Sequence, residues 1–574
     1  MSVYPVTYQY PILRNQVLRE FVAEAACVFK NIQSAALEDI SREEIIKASH
    51  HYRAVLHSNL LKFDENPTSE PSRELLRNMS LLWHLCEIVF LDSSPREYLT
   101  DQLLVWIRWH HPEPLIERII GKSEPHLDDD YWLAVYKLAS RGEVKSATFL
   151  LKQHPEFKEE GDFAQIVNLI GKMPQFSKDY VLYEFSMKWE AWSSQCQFHM
   201  KTYSYSPEVQ TLLGLLSGNL KTFFENKHFF STWYELMVAL LLYADPLIKE
   251  TDVASFSKEC YHRMRGEQHS HPSHFDGAIL SVFASDSITL FHEACFSLDD
   301  NSWFAAHLID LFYHDEILGS DDQKELEKMR EYFLLDYGDV LMRDSELWEV
   351  GVAYLESSPS FGLESLRMNL LQILLDTEAK AEKVMNFAQM FNFEDVFRSA
   401  ALVKARQFLS KNQIGQALLW AAKSKSSVLT SHISDLFLKE YIAKRKFPDE
   451  NVLSSLKSLI INCDRLTFLV EYHKFISLKE KKMFEEAAIL LENLISSRIA
   501  PKFFVLTLLM EAMPLLEARK LILNREQTIQ ILAALEDSYD SVSSEMMDEL
   551  KEKGRYLSLA IARNMARTTT CTRN

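Results

Sequence analysis

Along the first twelve residues, Tyr4, Val6, Tyr8, Tyr10 and Ile12 occupy every second position, the alternation of a half-buried strand. Pro5 and Pro11 each lack an amide hydrogen, which confines such a strand to an edge or an irregular pairing. A single strand is not stable alone, so this one needs a partner, and no convincing second strand follows in the chain. From about Arg14 onward the apolar period changes to that of helices. Ser41 and Glu44 form a capping box ahead of Ile45 and Ile46. Ser94, Pro95 and Glu97 combine an N-cap, a first-turn proline and a second box. The helix predicted after Ser94 carries Leu99, Leu103, Trp106 and Ile107 on one stripe. Polar links such as Asp64 to Ser72, with Pro67 and Pro71, separate neighbouring helices.

The helical pattern also repeats. Three helix pairs share apolar anchors nine and six residues before a reference position, then a small residue at plus three and apolar residues at plus six and seven. They read Val135, Leu138, Val144, Ala147, Leu150, Leu151; then Ala405, Phe408, Ile414, Ala417, Trp420, Ala421; then Phe475, Leu478, Phe484, Ala487, Leu490, Leu491. The small residue allows close approach of the two helices, and the larger ones face the next pair. Gly142 falls in the turn of the first pair, and Lys411 and Asn412 in that of the second. The copies are not tandem, which predicts a degenerate, stacked-helix solenoid rather than a consensus array. The fold class expected is therefore all-α: an irregular helical solenoid with one short N-terminal β-like segment.

Composition agrees. At 574 residues the chain exceeds one compact core, so it must divide or grow as a stack. It is 47% hydrophobic and 12% aromatic, yet holds only 14 glycines and 17 prolines, fewer than the turns of a sheet-rich fold require. The net charge of −19 disfavours direct contact with nucleic acid. Lys551 to Asn574 departs from this, with six Lys or Arg and one Glu. The two readings are a basic terminal helix or a contact for an anionic partner. Seven dispersed cysteines without CxxC spacing fit a reducing compartment. The longest apolar run, the nine residues Leu236 to Ala244, is far too short for a membrane span, and no signal-peptide pattern opens the chain. An intracellular, soluble protein is expected.

Several local patterns touch on chemistry, and each has a plainer reading. Gly121-Lys122-Ser123 ends like a phosphate loop, but Ile116 stands where the upstream glycine belongs and no strand precedes it. A helix-to-helix turn is expected there. His269, His271 and His274, near Cys260 and His262, are possible zinc-ligand types on what reads as a mobile loop without a rigid frame. His292-Glu293 opens a zinc-protease motif that fails at Phe296. Asp128, Asp129 and Asp130 precede a helix start, where capping and the helix dipole account for them. Trp83, Trp189, Trp192, Trp303 and Trp348 lie in apolar helical patterns and read as core. No nucleophile, base and oxyanion site assembles, so neither catalysis nor a cofactor or metal is expected.

The same residues carry a resemblance. Leu82-Trp83-His84-Leu85-Cys86-Glu87-Ile88, Lys188-Trp189 with Trp192 and Cys196, and Trp303-Phe304-Ala-Ala-His307-Leu308 resemble the nucleoporin 85 family. So do Leu347-Trp348 with Gly351 and Tyr354, Asp464 to Leu469, Ser497 to Pro501, Met513 to Glu517, and Leu559 to Arg567. Singly these are core words; in order across nearly the whole chain they are specific.

The resemblance implies the ancestral-coatomer fold: a strand remnant at 1–13, trunk at 14–190, a folded-back crown at 191–335, trunk again at 336–445, and a tail at 446–574. It implies a non-enzymatic scaffold in the outer-ring Y complex of the nuclear pore, supporting pore assembly, mRNA export and nucleocytoplasmic transport. It also implies location at the nuclear envelope, and at kinetochores in mitosis. The implied partners are a Seh-type β-propeller that receives N-terminal strands as a missing blade, other helical Y-complex nucleoporins at the tail, and a second propeller nucleoporin. No nucleic acid contact or membrane insertion is implied.

The family's strand-bearing segment is longer than the Val3–Ile12 stretch here, which weighs against donation of a full blade. Tyr4, Val6, Tyr8 and Tyr10 are the candidate propeller-binding residues, paired by β-augmentation. Leu557, Ile561 and Met565, at i, i+4 and i+8, are the candidate tail-docking stripe, with packing inside the chain as the competing reading. The alternative to a nucleoporin is a helical-repeat adaptor of a vesicle coat or regulatory complex.

Overall fold

The computed structural model describes residues 15–37, 40–65, 70–91, 98–158, 161–176, 182–203, 205–266, 271–298, 302–315, 323–456, 463–541 and 547–571. Among these residues every regular element is a helix, as the periodicity predicts. None of the described helices is long and apolar enough to cross a membrane. The chain forms two compact units, 1–366 and 367–574.

In the first unit the helix Gln16–Ala36 opens at Asn15, whose side chain accepts the Val17 amide hydrogen. It buries Leu18, Phe21, Val22, Ala25, Phe29 and Ile32, one stripe at helical spacing. The helices Arg42–Glu65 and Glu70–Cys86 pack in succession behind it. The Ser41–Glu44 box forms as expected: the Ser41 amide donates to the Glu44 carboxylate at 2.9 Å and the Glu44 amide donates to the Ser41 hydroxyl. The second expected box, Ser94 to Glu97, lies outside the described residues, and the helix that follows runs Leu99–His110. Of its predicted stripe, Leu103, Trp106 and Ile107 are buried and Leu99, at the helix start, is half-buried.

The chain then builds a further stack before returning to its first helices. At the centre of that stack is Trp233–Ala244, the helix containing the nine-residue apolar run. It packs against Leu99–His110, Tyr131–Ser140 and Pro207–Leu216, and a helix apolar on all sides needs neighbours on all sides. Sequence reading missed its start signal, a capping box between Thr232 and Glu235. On the return, Ser302–His314 packs against Arg42–Glu65, and Trp348–Glu356 packs against Gln16–Ala36. Gly338 and Gly351 let Gln323–Met342 and Trp348–Glu356 cross closely: a Cβ on Gly351 would meet the Gly338 carbonyl oxygen at 3.0 Å.

An aromatic cluster closes this circuit. Phe21 meets Trp303 at 4.7 Å between ring centroids, Phe29 stacks on Tyr354 at 4.3 Å, and Tyr52 touches Trp83, Trp303 and His307. Beside it lies a buried ion pair, Arg330 Nε to Asp310 Oδ1 at 2.7 Å, with Gln33 bonded to both partners. Burial works against the Asp310 charge, but Arg330 and His314 outweigh it and hold the carboxyl below its usual range. Trp83, Trp189, Trp192, Trp303 and Trp348 are all buried, as their patterns predict.

The second unit is a succession of helices each packed on the next, from Glu378–Met390 and Glu394–Ser410 through Ile414–Lys423, Ser427–Lys444, Asp464–Glu480 and Phe484–Ser496. Tyr441, Phe447, Phe468, Tyr472 and Phe504 form its aromatic centre. Both units contain the repeated pair, and the small residues Ala147, Ala417 and Ala487 are completely buried, as the template requires. The reference positions are less buried than expected: Val144 and Ile414 are half-buried, and Phe484 is exposed.

The three turns share one backbone. Gly142, Asn412 and Lys482 all have φ near +60° to +70°, and the following amide donates to the carbonyl five residues back, Glu143 to Leu138, Gln413 to Phe408, Met483 to Leu478. That is the Schellman closure of a helix end.

Candidate docking surfaces

The candidate chemical clusters resolve into packing and surface. Gly121 caps the helix Pro114–Ile120, so the Gly121-Lys122-Ser123 stretch is a helix end as expected. Lys122 pairs with Asp128. Lys122 and the Asp130 amide hold the Asp128 carboxyl below its usual range. Asp130 stands at the N-cap of Tyr131–Ser140 but makes no cap bond. Its carboxylate goes to Arg118 at 2.5 Å, which corrects the capping reading at that residue. Cys260 is buried, His269 lies outside the described residues, and His271 and His274 are exposed. His274 bonds Glu293 at 2.8 Å. Phe296, where the protease motif fails, packs against the rings of His274 and His292. Among the described residues no three His, Cys, Asp or Glu side chains converge as a metal site.

Two histidines inside the first unit form a pair that no sequence spacing marks. His84 Nδ1 and His110 Nε2 lie 3.1 Å apart. Burial, with Arg53 and His50 around His84 and the neighbouring histidines around His110, brings their pKa values down to about 3 and about 2. Both rings are therefore neutral at ordinary pH and share one hydrogen bond. Only the knowledge that the helices Glu70–Cys86 and Leu99–His110 touch could have paired them.

In the second unit a groove of about 460 Å³ has Leu494, Val505, Leu508, Leu509, Ala533 and Ala534 among its lining. Arg498 and Asp537, both exposed, pair at 3.1 Å beside it. Ser496, Lys502, Gln530 and Ser538 line it as well, with Arg498 and Asp537, so its wall is part apolar and part polar.

Of the candidate docking residues, Tyr4, Val6, Tyr8 and Tyr10 lie outside the described residues. Leu557, Ile561 and Met565 lie on the helix Met547–Cys571, which packs against Arg525–Ser541. Leu557 and Ile561 are buried within the chain and Met565 is half-buried. The stripe therefore faces the chain's own helices, which is the competing reading of the sequence. Asn564 on the same side is buried and donates to the Leu523 carbonyl and the Thr528 hydroxyl, while Arg567 donates to the carbonyls of Ala518 and Arg519. Tyr556 and Leu559 point the other way, 60% and 51% exposed.

Stacked helix pairs with cores closed by aromatic and buried polar groups define a helical-repeat protein. The comparisons with known proteins narrow this. A family model described as Nup85 Nucleoporin matches residues 2–537. The nuclear pore complex protein Nup85 of Xenopus tropicalis is 31% identical over 581 residues, covering 96% of this chain and 88% of the relative. The human protein of the same name is 30% identical, with 96% and 89% covered. The nuclear pore complex protein Nup75 of Drosophila melanogaster is 26% identical, with 96% and 88% covered. The chain belongs to the Nup85 nucleoporin family.

Proposed function

We propose that this nucleoporin is a structural, non-enzymatic part of the outer-ring Y complex of the nuclear pore, associating with other nucleoporins through its helical faces. The observation that carries this reading is the family match, continuous from residue 2 to residue 537. The relatives are nuclear pore complex proteins by name. A trunk, crown and tail division is supported by the packing. Helices between 302 and 356 pack back on the first three, as a chain that doubles back requires, and the proposed bounds are those expected from the sequence: trunk at 14–190 and 336–445, crown at 191–335 and tail at 446–574. Assembly at the pore supports mRNA export and nucleocytoplasmic transport, and the same complex serves at kinetochores.

The partners follow from position along the chain. The segment Tyr4, Val6, Tyr8 and Tyr10 falls inside the family match, and its alternating sequence suits pairing with an open β-propeller of the Seh type. A second propeller nucleoporin is a further partner. The tail meets other helical nucleoporins, and because Leu557 and Ile561 are buried, their part is to hold the last helix in place. The test is co-purification of the chain with the Seh-type propeller, with and without residues 1–13. Loss of the propeller on truncation is expected; equal recovery from both proteins rejects the N-terminal contact. Failure of the intact chain to enter nuclear-pore assemblies in cells rejects the scaffold reading.

A further inference from the structure

We infer that the hydroxyls of Tyr52 and Tyr337 hold one buried water molecule against the carboxylate of Asp310, a site that fastens the first helices of the chain to the returning ones. The site goes beyond the scaffold reading and is independent of which partners the chain meets.

The site is defined by two hydroxyls and what surrounds them. His307 and Asp310 stand three residues apart on Ser302–His314, so both look to one side of that helix. The rings of Tyr52 and Tyr337 each meet the His307 ring edge-on, at 5.0 Å and 5.5 Å between centroids. Both tyrosines are shut off from solvent, at 0% and 1% exposure. The polar groups nearest them are engaged with one another. His307 meets the Trp303 carbonyl and the Tyr354 hydroxyl. Asp310 meets Arg330, Gln33 and, at 3.6 Å, His314, and Gln33 also accepts from Arg330. Among the described residues neither the Tyr52 nor the Tyr337 hydroxyl has a hydrogen-bond partner. A buried hydroxyl left so is costly, and two of them around one carboxylate call for a common explanation.

Electrostatics put the two hydroxyls in one field. Burial comes first in pushing the Tyr52 phenol well above its usual range, and the Asp310 charge and Tyr337 add to it. After burial, Tyr354 feels Tyr337, Tyr52 and Asp310 in the same way. The carboxylate thus faces phenols that keep their hydrogens and can donate them. They need a molecule that accepts two hydrogens and gives one. Water does so: it takes a hydrogen from each phenol and donates one to Asp310 Oδ2, which has a lone pair left beyond the Gln33 amide. An anion would face the Asp310 charge, and a cation would add to Arg330, which already balances that charge. The water joins side chains of Arg42–Glu65, Ser302–His314 and Gln323–Met342, beside the link that Gln33 makes from Gln16–Ala36.

The experiment uses the full chain and three variants, Tyr52→Phe, Tyr337→Phe and both together. Phenylalanine keeps the ring and removes only the hydroxyl. Amide exchange is read over Arg42–Glu65 and Gln323–Met342, at the sites that exchange only when the first unit unfolds. Each single change should lower protection about fivefold. The pair should cost clearly less than the product, about twenty-five-fold, because the first change already unseats the shared water. A crystal structure should show one density peak within hydrogen-bond distance of both hydroxyls and of Asp310. Protection unchanged or raised in the single variants would mean that the hydroxyls bond nothing, and overturns the inference. A pair whose cost equals the product overturns it too, since the hydroxyls then act apart. So does a crystal structure with no peak there, or one in which the phenols bond each other or Asp310 directly.

Discussion

The hydroxyl of Tyr354 lies 2.9 Å from Nε2 of His307, while Nδ1 of the same ring lies 2.7 Å from the Trp303 carbonyl oxygen. A carbonyl only accepts, so Nδ1 carries the hydrogen and Nε2 receives the one from Tyr354. The ring is neutral, and burial brings its pKa down to about 4 despite the Trp303 carbonyl and Asp310.

That arrangement makes stability depend on mild acid. Below the ordinary histidine value of about 6.5 the unfolded chain takes up a proton that the folded chain refuses. Stability therefore falls as pH drops from 6.5 to about 4, by roughly 3 kcal/mol from His307 alone. His84 and His110 act in the same direction and continue to lower pH. Asp310, whose folded carboxyl titrates below its usual range, adds a loss that begins as pH nears the ordinary carboxylate range and grows below it. Denaturant unfolding at pH 7 and pH 5 measures the effect. A His307→Phe variant should lose its share of the slope, and identical pH profiles in the two proteins would remove His307 from the account.

Breaking the ion pair beside it should cost more than removing it. Arg330→Met leaves Asp310 charged in the interior and should destabilise the first unit by about 3–5 kcal/mol. Arg330→Met with Asp310→Leu should recover much of that loss. A double variant no more stable than the single would mean that Gln33 and His314, rather than the charge, set the cost.

The repeated turns give a test of opposite sign. Lys482 and Asn412 occupy a left-handed conformation that glycine adopts without a Cβ penalty, as at Gly142. Lys482→Gly should raise the stability of the second unit by roughly 1 kcal/mol, and Gly142→Val should lower that of the first by at least as much. Thermal melting reads both, and a destabilising Lys482→Gly would show that the turn is held by its side chain.

Ile561 and Leu559 are neighbours on one helix with opposite prospects. Ile561→Asp buries a carboxylate against Arg525–Ser541 and should release the last helix, seen as loss of amide-exchange protection over 547–571. Leu559→Asp should leave that protection intact. Equal effects of the two would mean that the helix packs differently.

Thr232→Ala removes one half of the capping box at the central helix of the first unit. A loss of about 1 kcal/mol is expected from chemical denaturation, and no change would mean that packing alone sets that helix start.

How much of this was legible in the sequence depends on the range of the interaction. Helix periodicity, the Ser41–Glu44 box and the buried alanines of the repeat are local, and each is present as read. The Schellman turns were visible only where glycine or asparagine marked them. Lys482 carries the same backbone with a side chain that gives no such signal, and Ser285 and Asn392 repeat it without having been noticed. Thr232–Glu235 has the wording of a capping box and was missed beside the stronger apolar run. The last helix was the instructive case. Periodicity found a stripe at Leu557 and Ile561, but a stripe says only that a surface is covered, not by whom. His84 with His110, and Asp310 with Arg330 and Gln33, join residues that only the packing of the helices brings together.

The contacts of Phe21 with Trp303 and of Phe29 with Tyr354 have a bearing on how the protein is made. A ribosome emits the first helix some 270 residues before Trp303, on the order of 15 to 60 seconds at ordinary elongation rates. Throughout that interval the apolar stripe of Gln16–Ala36 has none of its distant native neighbours. The nascent chain must be shielded meanwhile, by a chaperone or by an early-bound companion subunit, and termination before Tyr354 yields a product whose first helix stays sticky.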